Sequence, residues 1–187
     1  MEYFSQSYIK DLKALLDTFP HDRFEEMIEA ILKAYQEGRQ IFVMGNGGSG
    51  STASHWCSDI NKGCCLDLDK KFKMLCLNDN IPIMLAYAND LSYDVVFVEQ
   101  LKNFFQEDDV VIGISGSGNS ANVLHAIDYA KKSGGTTIGL CGYSGGKLYG
   151  AVDIPVLARI DDMQKVEDVH TIIVHMSMQR IYKELHN

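Results

Sequence analysis

The sequence predicts an α/β fold: one mostly parallel five-stranded sheet with helices on both faces, preceded by a pair of helices. Three observations predict it. Short apolar runs alternate with longer stretches of helical periodicity, the pattern of strand–helix–strand units. The runs are apolar throughout rather than every second residue, as in strands buried on both faces. Two glycine-serine stretches, GNGGSGS at Gly45–Ser51 and SGSGNS at Ser115–Ser120, each follow an apolar run and open a helical stretch.

Taken in order, Tyr8, Leu12, Leu15, Leu16 and Phe19 recur at helical spacing, and after the break at Pro20 so do Phe24, Met27, Ile28, Ile31, Leu32 and Tyr35. EGRQ ends this second helix, and IFVM is the first strand. The first glycine loop leads into a helix predicted from about Ser51 to Asn61. FKMLCL reads as a strand, with helical segments around Ile81–Tyr87 and Tyr93–Phe105 after it. DVVIGIS is a strand, the second glycine loop follows, and ANVLHAIDYAKKSG is a helix that stops at glycines. TTIGLCG is a strand. VDIPVLA is another, and Pro155 near its end places it at a sheet edge. A final helix fills about Met163 to Leu185. No linker or repeat divides the 187 residues, so a single domain is expected.

The formal net charge of −8 argues against a general nucleic-acid or anionic-membrane binder, since both partners select basic surfaces. No apolar run approaches the roughly 20 residues of a spanning helix, and the polar N-terminus resembles no signal peptide. Cys57, Cys64, Cys65, Cys76 and Cys141 show no CxxC or metal-finger spacing, so reduced thiols in a cytosolic protein are expected.

The glycine loops carry the first functional signal. In open α/β sheets ligands sit beyond the carboxyl ends of the strands. Glycines there let backbone approach an anion, and a helix N-terminus offers free N–H groups and a positive dipole end. Ser49, Ser51, Ser115, Ser117 and Ser120 add hydroxyl donors. Neither loop is a Walker A sequence or a dinucleotide fingerprint. One such loop is as readily a tight turn with serine caps; two at equivalent places point to a phosphate cradle.

The second signal is histidine beside carboxylate. His55 and Asp59, four residues apart, share a helix face. On the last helix Glu167 and His170 share a face, and His175 lies about 80° around from Glu167. Such a set forms either a divalent-metal site or a proton-transfer pair. Beside a bound sugar phosphate it suits aldose–ketose isomerisation, which requires a base at the carbon next to the carbonyl and an electrophile for the enediolate. A lone helical histidine is more often surface or satisfied core, and His21, His125 and His186 read that way.

MGNGGSGSTASHW, ANDLSYD, GISGSGNSANVLHAI, GGKLYGAVDI and VEDVHTIIVH together make the chain, over nearly its whole length, similar to the sugar isomerase (SIS) domain and within it to the phosphoheptose isomerases. The resemblance implies a flavodoxin-like sheet. It implies isomerisation of sedoheptulose 7-phosphate to D-glycero-D-manno-heptose 7-phosphate in the cytoplasm. It implies phosphate binding by Ser49, Ser115, Ser117 and Ser120, with Asn46, Gly47, Gly48, Asn89, Asp90 and Glu167 around the sugar. It implies one zinc ion per subunit on His55, Asp59, Glu167 and His175, Asp59 also acting as base and His175 as acid. It implies a homotetramer assembled partly through helices in residues 1–37, ahead of an α/β core over 38–187.

The chain departs from that pattern at two ligand positions. Asp59 stands where the family has Glu, and Glu167 where it has Gln; Gln164 stands where an acidic residue is expected. Asp is one methylene shorter, and Glu167 adds a charge that favours a cation or can itself act as base. A different ketose phosphate is therefore an alternative substrate. A further alternative is a non-catalytic SIS protein that binds a sugar phosphate or a partner such as a replication initiator; four retained ligand-type residues count against it.

Overall fold

The computed structural model describes residues 3–187. Two helices, α1 (Phe4–Leu16) and α2 (His21–Glu37), lead into β1 (Ile41–Gly45) and α3 (Gly48–Ser58), which runs on into a π-helical turn at Asp59–Gly63. Then come β2 (Met74–Cys76), α4 (Ile81–Asp90), a 3₁₀ turn at Tyr93–Val95, and α5 (Val98–Phe104). The second half is β3 (Val110–Ser115), α6 (Ala121–Lys132), β4 (Thr136–Gly142), α7 (Gly146–Ala151), β5 (Ile154–Ala158) and α8 (Met163–Leu185).

The five strands form one sheet in the order β2-β1-β3-β4-β5, every pair parallel. This is the flavodoxin-like order, and it reverses direction between β1 and β3. The predicted fold class is the observed one. Register across the reversal pairs Gly45 with Ile114, so the chain leaves both strands at the same level and on the same side.

The central strands are apolar throughout because both faces are covered. Ile41, Val43, Ile112 and Ile114 belong to a core shared with Ile31 of α2, Trp56 of α3 and Ile173 of α8. Phe42, Met44 and Val111 point the other way, against Phe97, Leu101 of α5 and Ile127 of α6. Burying each such side chain stabilises the fold by about 1.5–3 kcal/mol. α2 is thus part of the sheet's own core. α1 is tied to the start of α8 by polar contacts: the Tyr8 hydroxyl donates to Asp168 at 2.6 Å, and Lys165 pairs with Asp162 at 2.6 Å and with Asp11 at 3.2 Å.

Four local differences from the sequence reading have physical causes. α3 begins at Gly48 rather than near Ser51, because Gly47 makes the turn itself at φ 53° and the next glycines wind into the first helical turn. The segment read as one helix over Tyr93–Phe105 breaks into a 3₁₀ turn and α5. β2 is only three residues long, within the predicted FKMLCL. α7 was not anticipated; with six residues and two glycines it carries no readable periodicity. Pro155 does sit on an edge strand, β5, opposite Gly139.

Gly113, in mid-β3, illustrates how closely α6 lies on the sheet: a Cβ there would come within 2.7 Å of Val123 Cγ1. Gly113→Ala should therefore lower unfolding stability by about 1–3 kcal/mol through overpacking. Urea denaturation of the two proteins measures this, and an unchanged midpoint would contradict the packing described.

Candidate active site

The two glycine loops meet at the topological switch between β1 and β3. Asn78 fixes the end of β1 by a two-way clamp: it accepts from the Gly45 N–H at 3.2 Å and donates to the Gly45 carbonyl at 2.7 Å. The chain then turns at Gly47 into α3, with Ser49 buried in the first turn. The second loop is held by the Gly118 N–H bonding back to the Ser115 carbonyl at 3.0 Å, and Gly118 takes a positive φ of 66°. The Ser115 and Ser120 hydroxyls lie 3.1 Å apart, and Ser117 Oγ accepts from the Asn119 N–H.

Between the loops lies a cleft of about 290 Å³. Asn46, Gly47, Gly48 and Ser49 form one wall, and Ser115, Gly116, Ser117 and Ser120 the other. The start of α8 closes it with Met163 and Glu167. The N-termini of α3 and α6 open on this region, so free N–H groups and two positive dipole ends face it. The Glu167 carboxylate lies directly over Gly48, where a Cβ would come within 2.7 Å of its Cδ; only glycine leaves room for that approach.

Further along the same two helices, α3 and α8 bring a second group together. His55 Nε2 lies 3.3 Å from Asp59 Oδ2, and the rings of His55 and His175 are 5.1 Å apart. One donor atom from each of His55, Asp59 and His175 falls within 4.8 Å of the others. Asp59 opens the π-turn, where the Cys64 N–H reaches back to the Asp59 carbonyl at 3.1 Å. Such turns rephase a helix and are frequent at functional sites. Two imidazoles and a carboxylate on facing helices can hold a divalent cation.

Most of the residues expected at the site are thus together, but not in one cluster. Glu167 is outside the group formed by His55, Asp59 and His175, and it lines the cleft instead. Asn89 and Asp90 sit exposed at the end of α4, bonded to each other at 2.8 Å, and are not among the cleft-lining residues. Met163, Asn78, Tyr93 and Asn122 were not singled out from the sequence. The last two lie inside quoted motifs, ANDLSYD and GISGSGNSANVLHAI, and both bond to Asn46.

Residues 7–142 match the family described as SIS domain. The chain belongs to the SIS family. A phosphoheptose isomerase from Clostridium acetobutylicum is 34% identical to this SIS protein over 92% of the chain and 88% of the relative. A probable phosphoheptose isomerase from Thermoplasma acidophilum is 35% identical over 89% and 94%. These relatives place the SIS protein among the phosphoheptose isomerases, and it is an isomerase. A phosphoheptose isomerase structure from Francisella tularensis superposes with a TM-score of 0.88 at 24% identity, covering 96% of this chain and 95% of its own. It shows the shared fold.

The five cysteines of the SIS protein are free and buried, and burial pushes the thiols of Cys57, Cys64, Cys76 and Cys141 up, that of Cys57 to about 11. None is available as a nucleophile. His170, one turn beyond Glu167, faces the core: its Nε2 lies 3.2 Å from the Cys141 carbonyl, so Nε2 carries the proton and donates. Its Nδ1 is buried and has no partner among the described residues.

Burial holds His170 neutral, lowering its pKa from 6.5 to about 4. The unfolded chain takes up this proton near pH 6.5, the folded chain only near pH 4. Its contribution to stability is therefore complete above pH 6.5 and is lost as pH falls toward 4. The loss is on the order of 3 kcal/mol. His170→Gln should flatten the fall in stability between pH 7 and 4 relative to the unaltered protein; identical pH profiles would contradict a buried neutral imidazole.

Proposed function

We propose that this SIS protein converts sedoheptulose 7-phosphate into D-glycero-D-manno-heptose 7-phosphate. The observation that carries the reading is one cradle of serines and helix N-termini formed in part by the same helices, α3 and α8, that bring a carboxylate and two imidazoles together. The names of its relatives supply a phosphoheptose as the substrate class, and the family resemblance supplies the particular sugar. Ser49, Ser115, Ser117 and Ser120 bind the phosphate, and Asn46, Gly47 and Gly48 the adjoining sugar.

Asp59 removes a proton from C1 of the ketose. The C–H electron pair forms the C1–C2 double bond, and the carbonyl pair moves to O2. His175 passes a proton between O1 and O2, and return of a proton to C2 completes the aldose. No oxidant enters or leaves. His55, Asp59 and His175 would hold a divalent cation, with zinc the reading that two nitrogens and one oxygen favour; when bound it polarises the substrate carbonyl. Asp59 would then combine two roles, as the resemblance implies. The position of Glu167 supports substrate binding rather than a fourth ligand bond. The parts of Asn89 and Asp90 rest on the resemblance alone.

We also propose a homotetramer working in the cytoplasm, without a nucleic-acid or membrane partner. Phe4 and Ile9 on α1, and Ile81 and Leu85 on α4, are large apolar side chains left more than half exposed. Surfaces of that kind suit burial against other copies, with residues 1–37 contributing to assembly and 38–187 forming the catalytic core. No helix among the described residues is long and apolar enough to cross a membrane.

The test is incubation with sedoheptulose 7-phosphate and zinc, followed by NMR of the sugar. The aldose should accumulate with deuterium from D₂O at C2. His175→Ala should lower turnover at least a hundredfold and reduce bound zinc. If the unaltered protein with added zinc makes no aldose, the reading is wrong.

A further inference from the structure

The orientation of the Asn46 amide follows from its neighbours. The Val123 backbone N–H, which can only donate, bonds to Asn122 Oδ1 at 2.9 Å. This identifies the oxygen of the Asn122 amide and so its nitrogen. Asn122 and Asn46 then exchange two bonds: Asn46 Nδ2 donates to Asn122 Oδ1, and Asn122 Nδ2 donates to Asn46 Oδ1, each at 2.9 Å. The Tyr93 hydroxyl donates a second bond to Asn46 Oδ1 at 2.9 Å.

An amide oxygen accepts two hydrogen bonds and an amide nitrogen donates two. Asn46 Oδ1 is therefore saturated, and Nδ2 keeps one N–H without a partner among the described residues. Asn46 lines the cleft. The three segments involved come from far apart in the chain: the first glycine loop, the turn after α4, and the first turn of α6. Asn122 is 2% exposed and Tyr93 52%. The former is locked in place, while the latter reaches the amide from the surface.

We propose that Asn122 and Tyr93 are positioning residues that fix Asn46 as a pure donor to an oxygen of the sugar portion of the substrate. This rests on the proposed binding of a sugar phosphate, and it deepens that reading by stating which polarity the site requires. A substrate must present an acceptor oxygen there, a carbonyl or a hydroxyl lone pair. A ligand that offers only a hydrogen at that point is rejected, because the amide has no free acceptor to meet it.

The test is a double-mutant cycle on binding and turnover. Tyr93→Phe removes one hydroxyl from an exposed side chain and should leave the thermal midpoint unchanged. It should weaken sedoheptulose 7-phosphate binding and lower kcat/KM about tenfold, the worth of one well-aligned hydrogen bond. In an Asn46→Ala background the same substitution should have no further effect, because Tyr93 acts only through Asn46. Inorganic phosphate affinity should be the same in all four proteins, since the serines bind that group. Equal losses from Tyr93→Phe in both backgrounds would overturn the proposal, as would parallel weakening of inorganic phosphate, which would mean that the network merely holds the loop. Turnover by the unaltered protein tests the isomerase reading separately. The binding cycle decides the present one even in a chain that binds the sugar phosphate without converting it.

Discussion

Everything at the site depends on β1 and β3 being hydrogen-bonded neighbours that point the same way. Parallel pairing with Gly45 opposite Ile114 delivers two loops, nearly seventy residues apart in the chain, to one point above the sheet. Each strand then feeds a helix whose N-terminus must face back over that point. Two dipole ends and several unpaired N–H groups therefore converge, with no cationic side chain among the described residues that line the cleft. A chain with a net charge of −8 can in this way present a local anion site while its surface repels polyanions.

α8 converts that cradle into a site for chemistry. It contributes Glu167 to the cleft and His175 to the histidine-carboxylate group, eight residues or on the order of 12 Å further along its axis. The helix is fixed at its start by an N-cap, Asp162 accepting from the Lys165 N–H, and by the contacts of Lys165 and Asp168 to α1. His170 fixes it in the middle, through the end of β4. The distance between the cleft and the histidine-carboxylate group is thus set by one rigid element with several anchors, rather than by loops.

The strands were legible because continuous burial on both faces leaves an unmistakable apolar run, as in IFVM and DVVIGIS. The convergence of the two serine-bearing loops on one cleft followed from strand–loop–helix order. His55 and Asp59 were legible as a pair because helical spacing reports faces directly, even though a π-turn begins at Asp59. Glu167 was legible in part: the resemblance set it both around the sugar and on the metal, and its side chain turns over Gly48 into the cleft, outside the group of His55, Asp59 and His175. The Asn46–Asn122–Tyr93 network was hidden. Its members come from three segments, and no periodicity within one segment reports a bond to another. α7 escaped because six residues with two glycines carry no signal.

The central claim is that two loops make one anion site. Calorimetric titration with inorganic phosphate tests it most directly, using the unaltered protein, Ser49→Ala and Ser120→Ala. One phosphate should bind per chain, and a substitution in either loop should weaken that same event several-fold. Two phosphates per chain, or a response to substitutions in one loop only, would contradict the account.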